Sequence, residues 1–365
     1  MEGLNITWAT ESGDNFTFSI RFPSPSVTLF SASIEVIFAV LTILGNVLFI
    51  MSVFLKKKLR TPAHVYLVNL STTDIFAAVF VSLPSVDAFL NEGWRLGETF
   101  CIIHNLLHPL LLSTSLWLSA FIAVNRYIYV VHKLRYRSFT NKVTVTLSVV
   151  YVWCFPAAVR SPGYLSPGFS QYAPPTYVCR GSLSQVITAA LIYIPCAIVV
   201  VCYSLTFRWV RKMRRQVETH SNHPGLGQSN NKGPSRHVVR MIYALAGIFA
   251  LILVGYLPFV LLINISASLQ VTPDPDASML LYPLIHVGGV VNPILYGICN
   301  RNFRKAYSEI LATLCRPFGE GRQESRTPRV VTSSLTPPNA EQALGVPNVQ
   351  QVIVVSCSRE VATNH

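Results

Sequence analysis

The apolar residues of this chain fall mostly into long blocks separated by polar segments. Seven apolar blocks stand out, at residues 28–55, 64–90, 100–131, 143–159, 183–210, 238–269 and 279–299. About 20 apolar residues in a helix cross the hydrocarbon core of a bilayer. In lipid the backbone must satisfy its own hydrogen bonds, so each block predicts a membrane-spanning α-helix. The stretch 119–132, SAFIAVNRYIYVVH, shows how one block ends. The apolar run reaches Asn125-Arg126-Tyr127 and passes into a basic segment. A charge at the bilayer centre costs about 2.5–3.5 kcal/mol on insertion scales, so Arg126 marks the cytoplasmic end of a span and turns toward the bundle interior. Cys101 stands 25 positions earlier. That separation is roughly 37 Å of helix, about one tilted membrane crossing.

Composition agrees with the blocks. Of 365 residues, 51% are hydrophobic and only 12% are charged, about half the charged share of a soluble domain. The net charge of +13 lies in the gaps between blocks. It therefore reads as membrane orientation and not as a nucleic-acid surface. The first, third-to-fourth and fifth-to-sixth connections carry 17 Lys and Arg, against Arg95, Arg160 and Arg180 in the opposite connections. This bias predicts the N-terminus outside the cell and the C-terminus inside. The start, MEGLNITWATESGDNFTFS, has no basic head and apolar core, so the first span is expected to act as its own insertion signal.

Residues 1–27 form a polar extracellular tail with two glycosylation acceptor triplets, at Asn5 and Asn15. Two such triplets ahead of a span fit a glycosylated exterior. Residues 218–235 are rich in Gly, Ser, Asn and Pro and predict a short mobile loop. After the seventh block, Phe303, Tyr307, Ile310, Leu311 and Leu314 recur at helical spacing opposite basic residues. They predict an amphipathic helix on the inner membrane surface, with Cys315 at its end as a palmitoylation candidate or a free thiol. Residues 316–365, dominated by Ser, Thr, Pro and Gly, predict a disordered cytoplasmic tail. Cys154, Cys196, Cys202 and Cys299 lie inside apolar blocks and are expected to pack there. The fold class is thus an all-α membrane protein: a seven-transmembrane helix bundle over 28–315 with a short amphipathic helix.

The individual motifs resemble those of rhodopsin-like (class A) G-protein-coupled receptors. The resemblance covers Phe30 to Cys315. It rests on Gly45-Asn46, the run from Asn69 to Asp74, Cys101, Asn125-Arg126-Tyr127, Trp153, Pro195 with Tyr203, Pro258, and Asn292-Pro293-Ile294-Leu295-Tyr296. Within that family the chain is most similar to the melatonin receptors and their orphan relatives. The segment from Asn91 to Gly97, Asn125 before Arg126, Tyr177-Val178-Cys179 and Asn302-Phe303-Arg304-Lys305 carry the closer similarity.

The resemblance implies a receptor that binds an extracellular ligand and activates heterotrimeric G proteins. Asn125, Arg126, Tyr127, Tyr203, Asn292, Pro293 and Tyr296 would serve coupling and activation. Arg126 would meet the G protein's C-terminal helix. Asn125 stands where the family has an acid, and the inner end of the sixth span has Arg236, His237 and Arg240, so the ion pair that restrains Arg126 is missing. Asp74, a carboxylate inside a span, must face partners or water. With Asn46, Ser115 and Asn292 it forms a polar network that in the family holds a sodium ion; a hydrogen-bonded patch without an ion is the alternative. A Cys101–Cys179 disulfide is expected between two segments in the oxidising compartment. Arrestin would bind the Ser/Thr-rich tail, and membrane lipids surround the spans.

Pro195, Pro258 and Pro293 predict breaks in helical hydrogen bonding. Tyr256 stands two residues before Pro258, where the family has a tryptophan. The polar pocket candidates are His108, Arg180, Tyr256, Tyr282 and His286, beside Ile192, Phe259 and Leu262. His108 occupies the place where amine receptors carry an aspartate, which argues against a biogenic amine. The seventh span has no lysine, which excludes a retinal Schiff base. Leu191 stands where melatonin receptors have a histidine. The ligand expected is a neutral or weakly acidic small molecule, indole-like or lipid-like, with a peptide-activated receptor of the same fold as the alternative. A transporter would show paired repeats or interrupted helices in both halves, and neither is present. No metal-spaced His/Cys cluster or nucleophile motif suggests an enzyme, and no cofactor is expected.

Overall fold

A computed structural model describes residues 4–9, 15–164, 170–173, 178–181, 185–221, 236–269, 271 and 273–314, all within the compact unit Met1–Arg316. The first block folds as helix α1 (Pro25–Leu55). The second is α2 (Pro62–Ala77), a wide π-helical turn at Ala78–Ser82, and α3 (Leu83–Leu90). The third is α4 (Gly97–Val131), followed by the one-turn α5 (Tyr136–Phe139). The fourth, fifth and sixth are α6 (Lys142–Tyr164), α7 (Gln185–Ser221) and α8 (Arg236–Ser268). The seventh is composite: α9 (Pro275–Leu281), a 3-10 stretch at Tyr282–His286, and α10 (Val287–Cys299). It starts at a proline, and the Asp274 side chain caps it by accepting from the Ala277 N–H at 2.9 Å. That pairing satisfies one of the donors a helix start leaves over.

Six of these helical segments are long and apolar enough to cross a membrane, and α8 contributes a further apolar stretch, Leu253–Ser266, among the described residues. A packed apolar core is joined by buried polar side chains, while many large apolar side chains are exposed. Leu44, Phe54, Leu147 and Val254 are exposed, while Asn46, Asp74, Ser113, Thr114 and Asn292 are buried. Apolar groups face outward because lipid solvates them, and polar groups gather inside where they find partners. The central helix is α4, which packs against α2, α6 and α7.

Helix α11 (Arg301–Leu314) follows the seventh span. Its Phe303 is completely buried and stacks on Phe49 of α1 at 4.7 Å between ring centroids. Ala306 and Ile310 are buried on the same face, whereas Leu311 and Leu314 are exposed. The amphipathic pattern is therefore used twice, against the bundle and outward. Tyr307 donates its hydroxyl to the Pro293 carbonyl at 3.1 Å.

Three features depart from the sequence pattern. Two short antiparallel hairpins were not foreseen: β1 (Leu4–Ala9) with β2 (Asn15–Ile20), and β3 (Ser170–Ala173) with β4 (Val178–Gly181). Asn5 and Asn15 lie on β1 and β2. Arg160, assigned above to an outer connection, lies inside α6, 2% exposed, and donates to the Ser113 hydroxyl at 3.1 Å. The fourth helix continues past the apolar block because this arginine finds a partner on α4. Cys154 is exposed on α6, unlike the buried Cys196 and Cys202; a thiol is apolar enough to face lipid.

Candidate functional site

The polar candidates form three groups along the bundle. The outer group surrounds a cavity between α2, α4, α8 and the composite seventh span, lined by His108, Tyr256 and His286. Leu111, Leu112, Leu116 and Ile285 supply its apolar wall. Tyr282 stands beside the cavity, with its ring 5.8 Å from His108, 5.5 Å from His286 and 5.9 Å from Phe259. The Tyr282 hydroxyl shares a 2.8 Å hydrogen bond with Ser85. Ser85 in turn meets His104 Nε2 at 3.2 Å. Four of the five pocket candidates thus come together. Arg180 lies on β4, and its side chain is outside the described residues.

Two members of this outer group escaped the sequence reading. His104, fully buried, stacks edge-on against Trp94 at 5.1 Å and lies 5.9 Å from His108. Glu35 of α1 is also fully buried, with Oε1 2.7 Å from His286 Nδ1. That approach is not aligned as a hydrogen bond, and neither Glu35 oxygen has a hydrogen-bond partner. The signal was visible: Glu35 is the one charged residue between Thr28 and Leu55, and a carboxylate inside a span requires a partner.

The middle group lies below the same cavity, which extends to Asp74, Ser115 and Gly289. Asn292 donates to Asp74 Oδ2 at 3.2 Å. Asn46 donates to the carbonyls of Thr42 and Gly289, both at 2.9 Å. A Cβ on residue 289 would stand 2.9 Å from Thr42 Cγ2, so glycine there allows the first and seventh spans to close on each other. Asn46 Oδ1 is buried without a partner. Asp74, Ser115 and this orphaned oxygen are hard oxygen donors of the kind a small cation takes, and they fit a sodium ion. Among the described residues, no group of three or more His, Cys, Asp or Glu is placed to hold a metal ion.

The inner group centres on Arg126, half-buried near the end of α4 beside the buried Asn125. Tyr203 of α7 and Tyr296 of α10, the two tyrosines the motifs single out, are both buried. Tyr296 packs against Phe49 at 5.3 Å. Tyr127 meets His132 Nε2 through its hydroxyl at 3.3 Å.

At the outer end, Cys101 of α4 is disulfide-bonded. Cys179 lies on β4, in the hairpin that rests against α4; its side chain is outside the described residues. Cys315 also falls outside the described residues.

This arrangement has known counterparts. The model of the seven-transmembrane receptors of the rhodopsin family matches residues 45–296. The melatonin receptor type 1A of Mus musculus is 31% identical over 304 residues, covering 80% of this chain and 83% of that protein. The melatonin receptor type 1A of Gallus gallus is 28% identical over 306 residues, covering 80% and 82%. The melatonin receptor type 1C of Gallus gallus is 29% identical over 294 residues, covering 78% and 83%. These proteins are signalling receptors and multi-pass membrane proteins. The chain belongs to the rhodopsin family of seven-transmembrane receptors and is related to the melatonin receptors.

Proposed function

We propose that the chain receives a small extracellular ligand in the outer cavity and activates heterotrimeric G proteins through its inner face. The observation that carries this reading is the meeting of His108, Tyr256 and His286 around one cavity with a leucine-rich wall. Imidazoles and a phenol offer neutral donors and acceptors. The leucines favour an apolar body, the usual character of a small-molecule site. His108 stands where a cationic amine would need an acid. The ligand class is therefore neutral or weakly acidic, indole-like or lipid-like. The relatives are named for melatonin; Leu191, buried on α7, argues that this chain takes a different compound.

The inner side supports G-protein coupling. Arg126 lies near the end of α4, and the inner tyrosines Tyr203 and Tyr296 are buried on α7 and α10. The basic connections orient this end toward the cytoplasm and the N-terminus outside. An arrestin would engage the Ser/Thr-rich tail, and the exposed face of α11 would rest on lipid. When bound, sodium at Asp74, Ser115 and Asn46 would neutralise the buried carboxylate. Asn292 orients that carboxylate by donating to it.

The test is a nucleotide-exchange screen with neutral indoles, fatty acids, amines and peptides. A neutral or acidic agonist is expected, and His108→Ala should lower its potency about tenfold, the scale of one lost hydrogen bond. A cationic agonist whose binding needs Glu35 or Asp87, or a peptide agonist, would sink the ligand reading.

A further inference from the structure

We infer that Glu35 and His286 form a proton-binding site that couples external pH to the contact between the first and seventh spans. The inference goes beyond ligand reception and rests on that reading only for its orientation toward the outside.

Glu35 is 0% exposed and sits within a helix whose other faces are apolar. A bare carboxylate in such a place costs several kcal/mol, so it must be paired or protonated. Among the described residues, the ionisable group that meets it is His286, with Nδ1 2.7 Å from Oε1. The pair joins α1 to the 3-10 stretch of the seventh span, and both oxygens of Glu35 lack a hydrogen-bond donor. A well-made permanent ion pair would have its lone pairs occupied. This one has a strong charge contact and spare acceptor capacity, the condition in which a proton finds a place.

His286 lines the outer cavity, together with His108 and Tyr256. The titratable groups around the pair come from the elements packed beside it: His108 of α4 with His104 next to it, Tyr282 of the seventh span, and Tyr256 of α8 and Asp74 of α2 on the wall of the same cavity. Ser31 on α1 adds a buried hydroxyl with no partner.

The chemistry is a single proton transfer from water outside. With Glu35 ionised and His286 protonated, the pair is neutral and holds the two spans together. One further proton bonds to a Glu35 oxygen and makes a carboxylic acid. No other bond breaks, and the imidazolium loses its counter-charge. It is then attracted by Asp74 and repelled by any charge on His108, so the seventh span is released from α1.

The full-length receptor, purified in lipid nanodiscs, tests this by infrared difference spectroscopy between pH 8 and pH 5. The expected result is a carbonyl stretch of a protonated carboxyl that grows on acidification and is missing in Glu35→Gln. Melting temperature should depend on pH over the same interval in the native protein and lose that dependence in both Glu35→Gln and His286→Gln. In cells, agonist-independent signalling should change about fivefold or more with external pH, the scale of a typical coupling between two sites. An unchanged carboxyl band in Glu35→Gln, or a melting profile in the variants that still follows the native one, overturns the proposal. Loss of nucleotide exchange at every pH with the Glu35 band intact would leave the proton site standing and count against the G-protein reading.

Discussion

Gly45 of α1 lies directly against Pro293 of α10: a Cβ on residue 45 would sit 2.7 Å from Pro293 Cγ. The two most motif-like residues of the first and seventh spans are thus one contact. The proline carries no N–H and bends the helix; the glycine makes room for the bend.

Gly45→Val should therefore destabilise the bundle by about 1–3 kcal/mol, the range for overpacking a tight contact. The check is thermal unfolding of detergent-purified receptor. Gly247, around which a Cβ would meet nothing within 4 Å, is the control position. Equal losses for Gly45→Val and Gly247→Val would show that the contact with Pro293 does not matter.

Cys101→Ser and Cys179→Ser should each reduce surface expression, and the double variant should do no more harm than either single one. A bridge of this kind contributes about 2–4 kcal/mol, mainly by limiting the unfolded chain. Cys101 is already bonded. Mass mapping under non-reducing conditions should recover the linked Cys101 and Cys179 peptides, and a different partner for Cys101 would refute the pairing.

Arg126→Ala should keep ligand binding and lose nucleotide exchange. Arg126 lies near the inner end of α4 and is not among the residues that line the cavity. A normally expressed variant with native exchange rates would reject this role.

Arg180→Ala should weaken an acidic agonist by about tenfold or more, since a charge-assisted bidentate contact is among the stronger hydrogen bonds. It should leave a neutral agonist of the same shape unaffected. If the acidic compound binds as before, Arg180 is not its anchor; it then faces water, or the acids Glu92 and Asp274, where an exposed pair is worth little.

The seven spans were legible in the sequence because lipid imposes long apolar blocks, although α7 runs on to Ser221 where its block ends at residue 210. The first hairpin left a signal that went unused, since Asn15 to Ile20 alternate polar and apolar residues; the four-residue strands of the second are too short to show a period. His108, Tyr256, Tyr282 and His286 were found from their places in the spans. Glu35 was visible as an acid in an apolar block but had no partner until α1 was seen to pack beside the seventh span. Arg160 was misread because charge in a sequence suggests a loop; its bond to Ser113 was not visible there.

The π-helical turn at Ala78–Ser82 has a consequence for comparison between relatives. A wide turn inserts one extra residue, and each residue of a regular helix advances by about 100°, so everything beyond the turn is rotated by up to that amount. Ser85 and Phe89, which face Tyr282, lie beyond it. A receptor whose second span is regular throughout would place a neighbouring position in that spot. Aligning such a relative to this chain without a one-residue gap after Ala77 would therefore transfer pocket contacts to the wrong side chains for the whole outer half of the helix.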